Sequence, residues 1–183
     1  MNGLKNKLLV AMPNMADPYF AESVVLICRD GPDGLFGLII NKPISQMKVV
    51  GAGLKNKFFK DLISESEKIF FGGPVMLHEA CVLSENDNAN ILFDISEKIK
   101  LSNDLDLIQK ILFDDKNPKN TKLIFGHAAW DTDQLQDEIK RGDWLIYNNT
   151  EEIFNTSPKL IWGMLIKNFG LDQLNITGIG GVS

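Results

Sequence analysis

The chain has 183 residues, 44% of them hydrophobic and 23% charged, with a formal net charge of −5 at pH 7. This length and composition predict one globular domain over residues 1–183 that can bury its own core. The chain has only two arginines, Arg29 and Arg141. This scarcity and the acidic balance argue against the clustered cations that direct DNA binding requires. Three lysines at positions 55, 57 and 60 are interpreted as a solvated helix face.

Apolar runs are short throughout the chain. One of the longest, Leu160–Ile166, falls far short of the roughly 18–20 residues that span a bilayer. The N-terminal run Leu8–Met12 is too short for the core of a signal peptide. We therefore expect a soluble, cytoplasmic protein without a membrane partner.

The first part of the chain predicts three strands, which read LLVAM (8–12), SVVLICRD (23–30) and GLFGLIIN (34–41). The last two are joined by DGPDG, whose glycines supply the positive φ of a tight connection, and this is the strongest hairpin signal in the chain. Both hairpin strands are apolar on both faces near their centres. We therefore expect a covering layer on each side of the sheet.

The middle of the chain predicts mixed structure. A short helix is expected within Asn56–Ser64, and KIFFGGP (68–74) predicts a strand ending in a glycine turn. EACVLSE (79–85), ILFDIS (91–96) and KIKLS (98–102) predict a meander. SNDLDLIQKILF (102–113) predicts an amphipathic helix that is capped by Ser102 or Asn103, with Leu105, Ile108 and Leu112 on one stripe.

The last part predicts two strands and two helices. TKLIFGHAAW (121–130) and DWLIY (143–147) are strand-like. Between them lies a helix capped by Asp131, ended by Gly142 and carrying an Asp137–Arg141 pair. SPKLIWGMLIKNFG (157–170) is a helix that is apolar nearly all round, so we expect it to be deeply packed. Together the elements indicate an α+β or mixed α/β domain.

Familiar motifs of catalysis and of nucleotide binding are missing from the sequence. It has no G-x-S-x-G elbow, no P-loop and no G-x-G-x-x-G. His78 and Glu79 match the first two residues of the H-E-x-x-H motif of zinc proteases, but Val82 occupies the position of the second histidine. Cys28 and Cys81 are interpreted as reduced, buried thiols. We therefore predict no metal and no cofactor, and we assign no catalytic residue.

Three polar or glycine-rich tips follow buried strands. They are Asn41–Pro43, Gly72–Pro74 and Gly126–Ala128 together with Trp130. Glycine pairs allow close backbone approach, and a strand leading into a capped helix presents free N–H groups to an anion. If the tips converge, they can form a pocket for a small anion. Its candidate binding residues are Asn41, Lys42, Gly72, Gly73, His127 and Trp130. The alternative is that the glycines serve turns and packing, that Lys42 is solvated and that His127 is bonded within the fold.

Three blocks of the sequence carry a family resemblance. Residues 8–43, beginning LLVAMPNMADPYF and ending GLIINKP, together with FFGGPV (70–75) and GHAAWDTDQLQDEIKRGDWL (126–145), resemble the signature blocks of the AlgH/YqgE family of small bacterial proteins. The resemblance implies a single-domain α+β fold, in which helices surround a mixed, branched β-sheet with a small barrel-like part. It also implies a cytoplasmic protein, and the name of one branch suggests transcriptional regulation.

Two departures from the family pattern bear on mechanism. The third block usually reads Gly-Tyr-Ala-Gly-Trp, whereas here His127 stands at the tyrosine position. A C-terminal Gly-His-Ala of the family is here Gly180–Val182. Both changes argue against a shared enzyme mechanism that uses those side chains.

Two hypotheses for function follow from these observations. The first is a non-enzymatic regulatory or binding module that holds a small anion, a nucleotide or an unidentified protein partner at the strand tips. The second is a hydrolase or transferase in which His127 acts as acid or base and Lys42 as an electrostatic clamp. We favour the first, because no arrangement of nucleophile, base and orienting group is evident.

Overall fold

The computed structural model describes residues 3–47, 69–85, 90–113 and 118–170. In these ranges the strands are β1 (Leu8–Ala11), β2 (Val24–Gly31), β3 (Gly34–Ile39), β4 (Ile69–Phe71), β5 (Val75–Ser84), β6 (Ile91–Asp94), β7 (Lys100–Ser102), β8 (Thr121–Trp130) and β9 (Trp144–Tyr147). The helices are α1 (Leu105–Phe113), α2 (Thr132–Arg141), α3 (Glu152–Asn155) and α4 (Pro158–Asn168), with a 3-10 turn at Ile44–Gln46. The α+β fold class is confirmed, and the sheet curls into a half-barrel.

The sheet branches at β8. Its strand order is β6-β7-β5-β8-β3-β2-β1-β9, and β4 pairs with β8 outside this path. The β4 pairing is parallel and covers only the first part of β8, whereas β3 pairs antiparallel with its last residues. One long strand therefore serves three neighbours, as the family resemblance implied.

The predicted hairpin forms with the shortest possible loop. Gly31 pairs with Gly34, and Pro32 and Asp33 form the turn between them. Gly34 adopts a φ of +111°, a backbone conformation that is strained for a residue with a side chain. This local turn joins two strands whose ends away from the turn are buried.

Both faces of the sheet are covered, as predicted. One core contains Val25 and Ile27 of β2 with residues of α1 and α2, and the other contains Val24 and Leu26 of β2 with residues of α3 and α4. Period-two alternation of an all-apolar strand supplies both faces at once.

A glycine in β8 reverses which residues face each core. Before Gly126, the odd-numbered Leu123 and Phe125 pack in the core with α1 and α2, whereas after it the even-numbered Ala128 and Trp130 do so. Gly126 has a φ of +71° and sits opposite an irregularity in β5. Such a bulge shifts the alternation by one residue, and it turns the intervening His127 away from that core.

The predicted meander is wrong in its order. β7 lies between β5 and β6 and pairs with both. Burial follows this order, since Leu101 of the inner strand β7 is fully buried whereas Ile91 and Leu92 of the edge strand β6 are 41% and 47% exposed. The more exposed strand takes the edge.

Several details of the predicted helices are also corrected. Asp104, rather than Ser102 or Asn103, caps α1, because its Oδ1 accepts the N–H groups of residues 106 and 107 at 3.0 and 3.3 Å. The buried stripe of α1 contains Ile108 and Ile111, while Leu105 is 70% exposed. The predicted helix within residues 56–64 and the lysines at 55, 57 and 60 lie outside the described residues.

The C-terminal predictions need similar corrections. Asp131 holds the N-cap position of α2 without a side-chain capping bond, and Gly142 ends the helix with a φ of +80°. Arg141 pairs with Asp143 at 2.8 Å instead of with Asp137. Helix α4 buries only one face, since Leu160 is 66% exposed. In the described ranges, no helix has both the length and the apolar character needed to cross a membrane.

Candidate functional site

The backbones of the three predicted strand tips lie together. The Phe71 N–H donates to the Lys42 carbonyl at 2.9 Å, and the Gly72 N–H donates to the Phe125 carbonyl at 2.8 Å. The Gly72 amide is thus occupied and is not available to an anion, contrary to the predicted pocket. A Cβ on Gly73 would lie 2.3 Å from the His127 carbonyl group. These glycines serve close packing between β4 and β8.

Asn41 is a structural brace. Its side chain is 8% exposed. Its Oδ1 accepts the Val24 N–H at 2.8 Å, and its Nδ2 donates to the Glu22 carbonyl at 3.0 Å. An amide suits this position because one side chain satisfies both a donor and an acceptor of the approaching backbone. The polar tip of β3 therefore fastens the start of β2.

Lys42 lines a cleft of about 320 Å³ with Gln46, Lys159 and Trp162. Its Nζ donates to the Tyr19 carbonyl at 2.8 Å. Burial lowers the pKa of Lys42, while the nearby Glu22 and Asp17 carboxylates act in the opposite direction. The first turn of α4 closes the cleft at Pro158 and Lys159. We call this space the lysine cleft.

His127 lines a different and larger cleft of about 820 Å³, which we call the histidine cleft. Its walls come from β3, β5 to β8 and α1. The imidazole of His127 stacks on Phe36, with ring centroids 4.5 Å apart and planes 25° from parallel. Burial lowers the pKa of His127, and the Glu79 carboxylate opposes the shift. The ring is therefore biased toward its neutral form.

A bulge in β5 brings further polar groups to the histidine cleft. Val75 pairs with His127 and Ala80 with Phe125, so residues 76–79 stand opposite the single Gly126. His78 and Glu79 in this bulge line the cleft, as do the amide side chains of Asn90 and Asn103. Sequence reasoning missed these four residues. The available signal was the polar pair His78-Glu79, which interrupts an otherwise apolar strand.

The thiol in the histidine cleft is buried and hydrogen-bonded. Cys81 lines the cleft, but burial raises its pKa to about 12, and Glu79 adds to the shift. The Sγ donates to the Ile124 carbonyl at 3.7 Å. Burial also raises the pKa of Cys28 well above its usual range. Both cysteines are free and buried, as predicted.

Trp130 lies in a third space. Its Nε1 donates to Glu138 at 3.0 Å, and the indole borders a cavity of about 220 Å³ that Trp144 and Phe20 also line. The side chains of Lys42, His127 and Trp130 therefore occupy three separate clefts. The convergence that the candidate pocket required is present for the backbones of the tips and absent for these side chains. Within the described residues, no group of three or more His, Cys, Asp or Glu residues is placed to hold a metal ion.

Comparison with known proteins gives one consistent family. Residues 8–174 match a family model described as AlgH-like. A UPF0301 protein of Methylococcus capsulatus is 34% identical over 172 residues, covering 90% of this chain and 91% of its own length. The UPF0301 protein YqgE of Shigella boydii is 30% identical over 184 residues, covering 97% of this chain and 98% of its own.

Solved structures share the fold. The solution structure of the AlgH protein from Pseudomonas aeruginosa has a TM-score of 0.66 at 23% identity, covering 100% of this chain and 96% of that one. The crystal structure of a Corynebacterium diphtheriae protein, DIP2367, has the same TM-score at 20% identity, covering 92% of this chain and 88% of its own.

Proposed function

The chain belongs to the AlgH-like family, and from its geometry we propose that it is a non-enzymatic regulatory module whose histidine cleft binds a small ligand with a planar heterocyclic ring, of the nucleoside kind. The observation that supports this proposal is the stack of His127 on Phe36 within a cleft that also presents amide side chains.

Size and wall chemistry suit such a ligand. Ligand clefts commonly measure about 300–1,000 Å³ and combine apolar walls with a few polar groups, and the histidine cleft of about 820 Å³ falls in this range. Aromatic faces stack on planar bases at about 1–3 kcal/mol each. Asn90 and Asn103 can each donate and accept hydrogen bonds, which matches the mixed edge of a heterocycle.

The groups in the cleft support binding rather than catalysis. Its thiol has a pKa of about 12 and is hydrogen-bonded, so little thiolate exists near neutral pH. The hydrolase or transferase hypothesis needs Lys42 and His127 on one substrate, whereas these side chains line separate clefts. Turnover that depends on both residues would revive that hypothesis.

A small anion is better matched to the lysine cleft. Lys42 and Lys159 outnumber Glu22 among the charged groups that line it, whereas Glu79 makes the histidine cleft unfavourable for an anion. We therefore propose the lysine cleft as the place for a phosphate or carboxylate group, and the anion-binding hypothesis continues there.

Thermal-shift and calorimetric titrations with nucleosides and nucleotides test the proposal. A ligand that binds only the folded protein raises the unfolding midpoint with concentration. We expect His127→Ala to weaken binding by about 5-fold to 150-fold, because it removes one stacking face.

Phe113→Ala is the matched control, since this aromatic ring is 64% exposed and does not line the cleft. Unchanged affinity in folded His127→Ala, or the absence of any saturable nucleoside binding, would contradict the proposal. Phosphate binding that Lys42→Gln abolishes would instead support the lysine cleft alone.

A further inference from the structure

The cavity beside Trp130 is lined by aromatic rings from three parts of the chain, and we call it the tryptophan cavity. Trp130 ends β8, Trp144 begins β9, and Phe20 lies in the loop before β2. The ring centroids are 6.0 Å apart for the two tryptophans, and Phe20 lies 5.7 and 5.6 Å from them. The volume of this partly open space is about 220 Å³, or about seven times the share of one water in the liquid.

A carboxylate is held in this aromatic wall by neutral donors. Glu138 of α2 accepts both indole N–H groups on Oε2, from Trp130 at 3.0 Å and from Trp144 at 2.9 Å. Its Oε1 accepts from the Gln134 amide at 2.9 Å. No ion pair joins Glu138 to a basic side chain in the part of the chain that the structure describes. These bonds orient the carboxylate without neutralising its charge.

The other charged groups around the cavity leave an excess of negative charge. Arg141 also lines it, but both its Nε and its Nη2 donate to Asp143, at 3.2 and 2.8 Å. Asp17 stands at the rim, where its Oδ1 accepts the N–H groups of Tyr19 and Phe20. Among the described lining residues, Asp17, Glu138 and Asp143 thus outnumber the single cation Arg141. The Lys42 ammonium also lies near Asp17, so Glu138 is the main counter-charge.

We propose that the tryptophan cavity binds an alkylammonium group, supplied either by a free amine or by a lysine side chain of a peptide. Aromatic faces attract cations through the negative charge of their π-surface. A carboxylate fixed in the same wall supplies the counter-charge in a partly desolvated place, where Coulomb attraction is stronger than in water. An anionic or neutral ligand would gain from neither feature. The site is separate from the histidine and lysine clefts, so this inference does not depend on them.

Titration of the full chain with n-butylammonium, followed by tryptophan fluorescence, tests the inference. Two of the three tryptophans border the cavity, whereas the indole N–H of Trp162 is bonded to the Ala11 carbonyl elsewhere. We expect a saturable change with n-butylammonium and none with n-butanol, which has nearly the same shape and no charge. Equal responses to the two probes, or no saturable response to any ammonium probe, would overturn the inference.

Charge-removing variants locate the effect. Glu138→Gln keeps an oxygen for the indole donors and removes the charge, so we expect about a tenfold loss of affinity for n-butylammonium. Asp17 lies at the exposed rim, and Asp17→Asn keeps a side-chain oxygen for the N–H donors of Tyr19 and Phe20. It should weaken binding by a few fold even if Glu138→Gln does not fold. Asp106→Asn, a carboxylate on α1, is the matched control and should bind as the unaltered chain does. Unaltered affinity in folded Glu138→Gln and Asp17→Asn would refute the proposed site.

Two further probes distinguish the source of the ammonium group. Saturation by n-butylammonium and by N-acetyl-lysine amide alike indicates a free amine as sufficient ligand. Saturation by a Gly-Lys-Gly peptide alone indicates a protein segment as the source, and both results support an alkylammonium site.

Discussion

Lys122 offers the sharpest test of the energetics of this fold. The side chain is 7% exposed, and its Nζ lies 4.2 Å from the centre of the Phe70 ring. Among the described residues, no carboxylate pairs with it. Burial lowers the pKa of Lys122 from 10.5 to about 8. The folded protein therefore destabilises the charged form of this amine relative to its neutral form.

The perturbation is Lys122→Met, which keeps an unbranched chain of similar size and removes the charge. At about 1.4 kcal/mol per pH unit, the lowered pKa corresponds to about 3 kcal/mol against the charged form. Loss of the contact with Phe70 offsets about 0.5–2 kcal/mol of this. We therefore expect the variant to be more stable than the original chain by about 1–2 kcal/mol at pH 7.

The pH dependence makes the test specific. Between about pH 8 and 10.5 the unfolded chain binds this proton more tightly than the folded protein, so the original chain gains stability as pH rises. The advantage of Lys122→Met should accordingly be largest below pH 8 and disappear by about pH 10.5. Urea unfolding of both proteins at pH 7, 8, 9 and 10 measures the difference. Lys110→Met, at an exposed position of α1, is the control. A variant that is less stable at pH 7, or an advantage that does not change with pH, would refute the reasoning.

Three other predictions concern the candidate site and its supports. Asn41→Ala should destabilise the protein by about 2–3 kcal/mol in chemical unfolding, because a backbone donor and an acceptor lose their partner; a loss below about 0.5 kcal/mol would contradict the bracing role. Gly73→Ala should cost more than about 3 kcal/mol, since the added Cβ would meet the His127 carbonyl at 2.3 Å. Gly142→Ala, with open space around its Cβ, should cost only about 1 kcal/mol. Equal losses of stability in the two glycine variants would show that backbone strain, rather than the contact with the His127 carbonyl, determines the loss. Because burial lowers the pKa of His127, its contribution to stability is present above about pH 6.5 and is lost as pH falls below it. The thermal midpoint of the original chain should thus fall more steeply from about pH 7 to 5 than that of His127→Gln, and parallel curves would contradict this assignment.

The hairpin of β2 and β3 was predictable because its determinants are local. A two-residue turn between two apolar runs fixes the register next to the turn without reference to the rest of the chain, although an irregularity between Ile27 and Arg29 shifts it by one residue farther along. The burial of both faces was predictable as well, since a strand with apolar residues on both sides has to be covered twice. The amphipathic helices α1 and α2 were likewise evident from their spacing, although their caps and buried stripes differed in detail.

The composition of the site was not predictable in the same way. The strand tips are brought together by β4. Its parallel pairing with β8 joins residues that are more than 50 positions apart in the sequence. His127 and Trp130 lie on opposite sides of the sheet by ordinary alternation, and the bulge opposite Gly126 decides which side each of them faces. A periodic pattern read without this bulge assigns the wrong face to every later residue of the strand.

The sequence by itself determined the kinds of element, the two-sided burial of the central strands and the family, because these depend on local periodicity, turn chemistry and the wording of contiguous blocks. Tertiary structure alone decided that Asn41 braces the backbone, that Lys42, His127 and Trp130 line different clefts, and that Glu138 meets two indoles. The physical reason is that a side chain's neighbours depend on strand order and register across the whole sheet. Long-range pairings set that order, and a single bulge can shift the register so that later residues face the opposite side of the sheet.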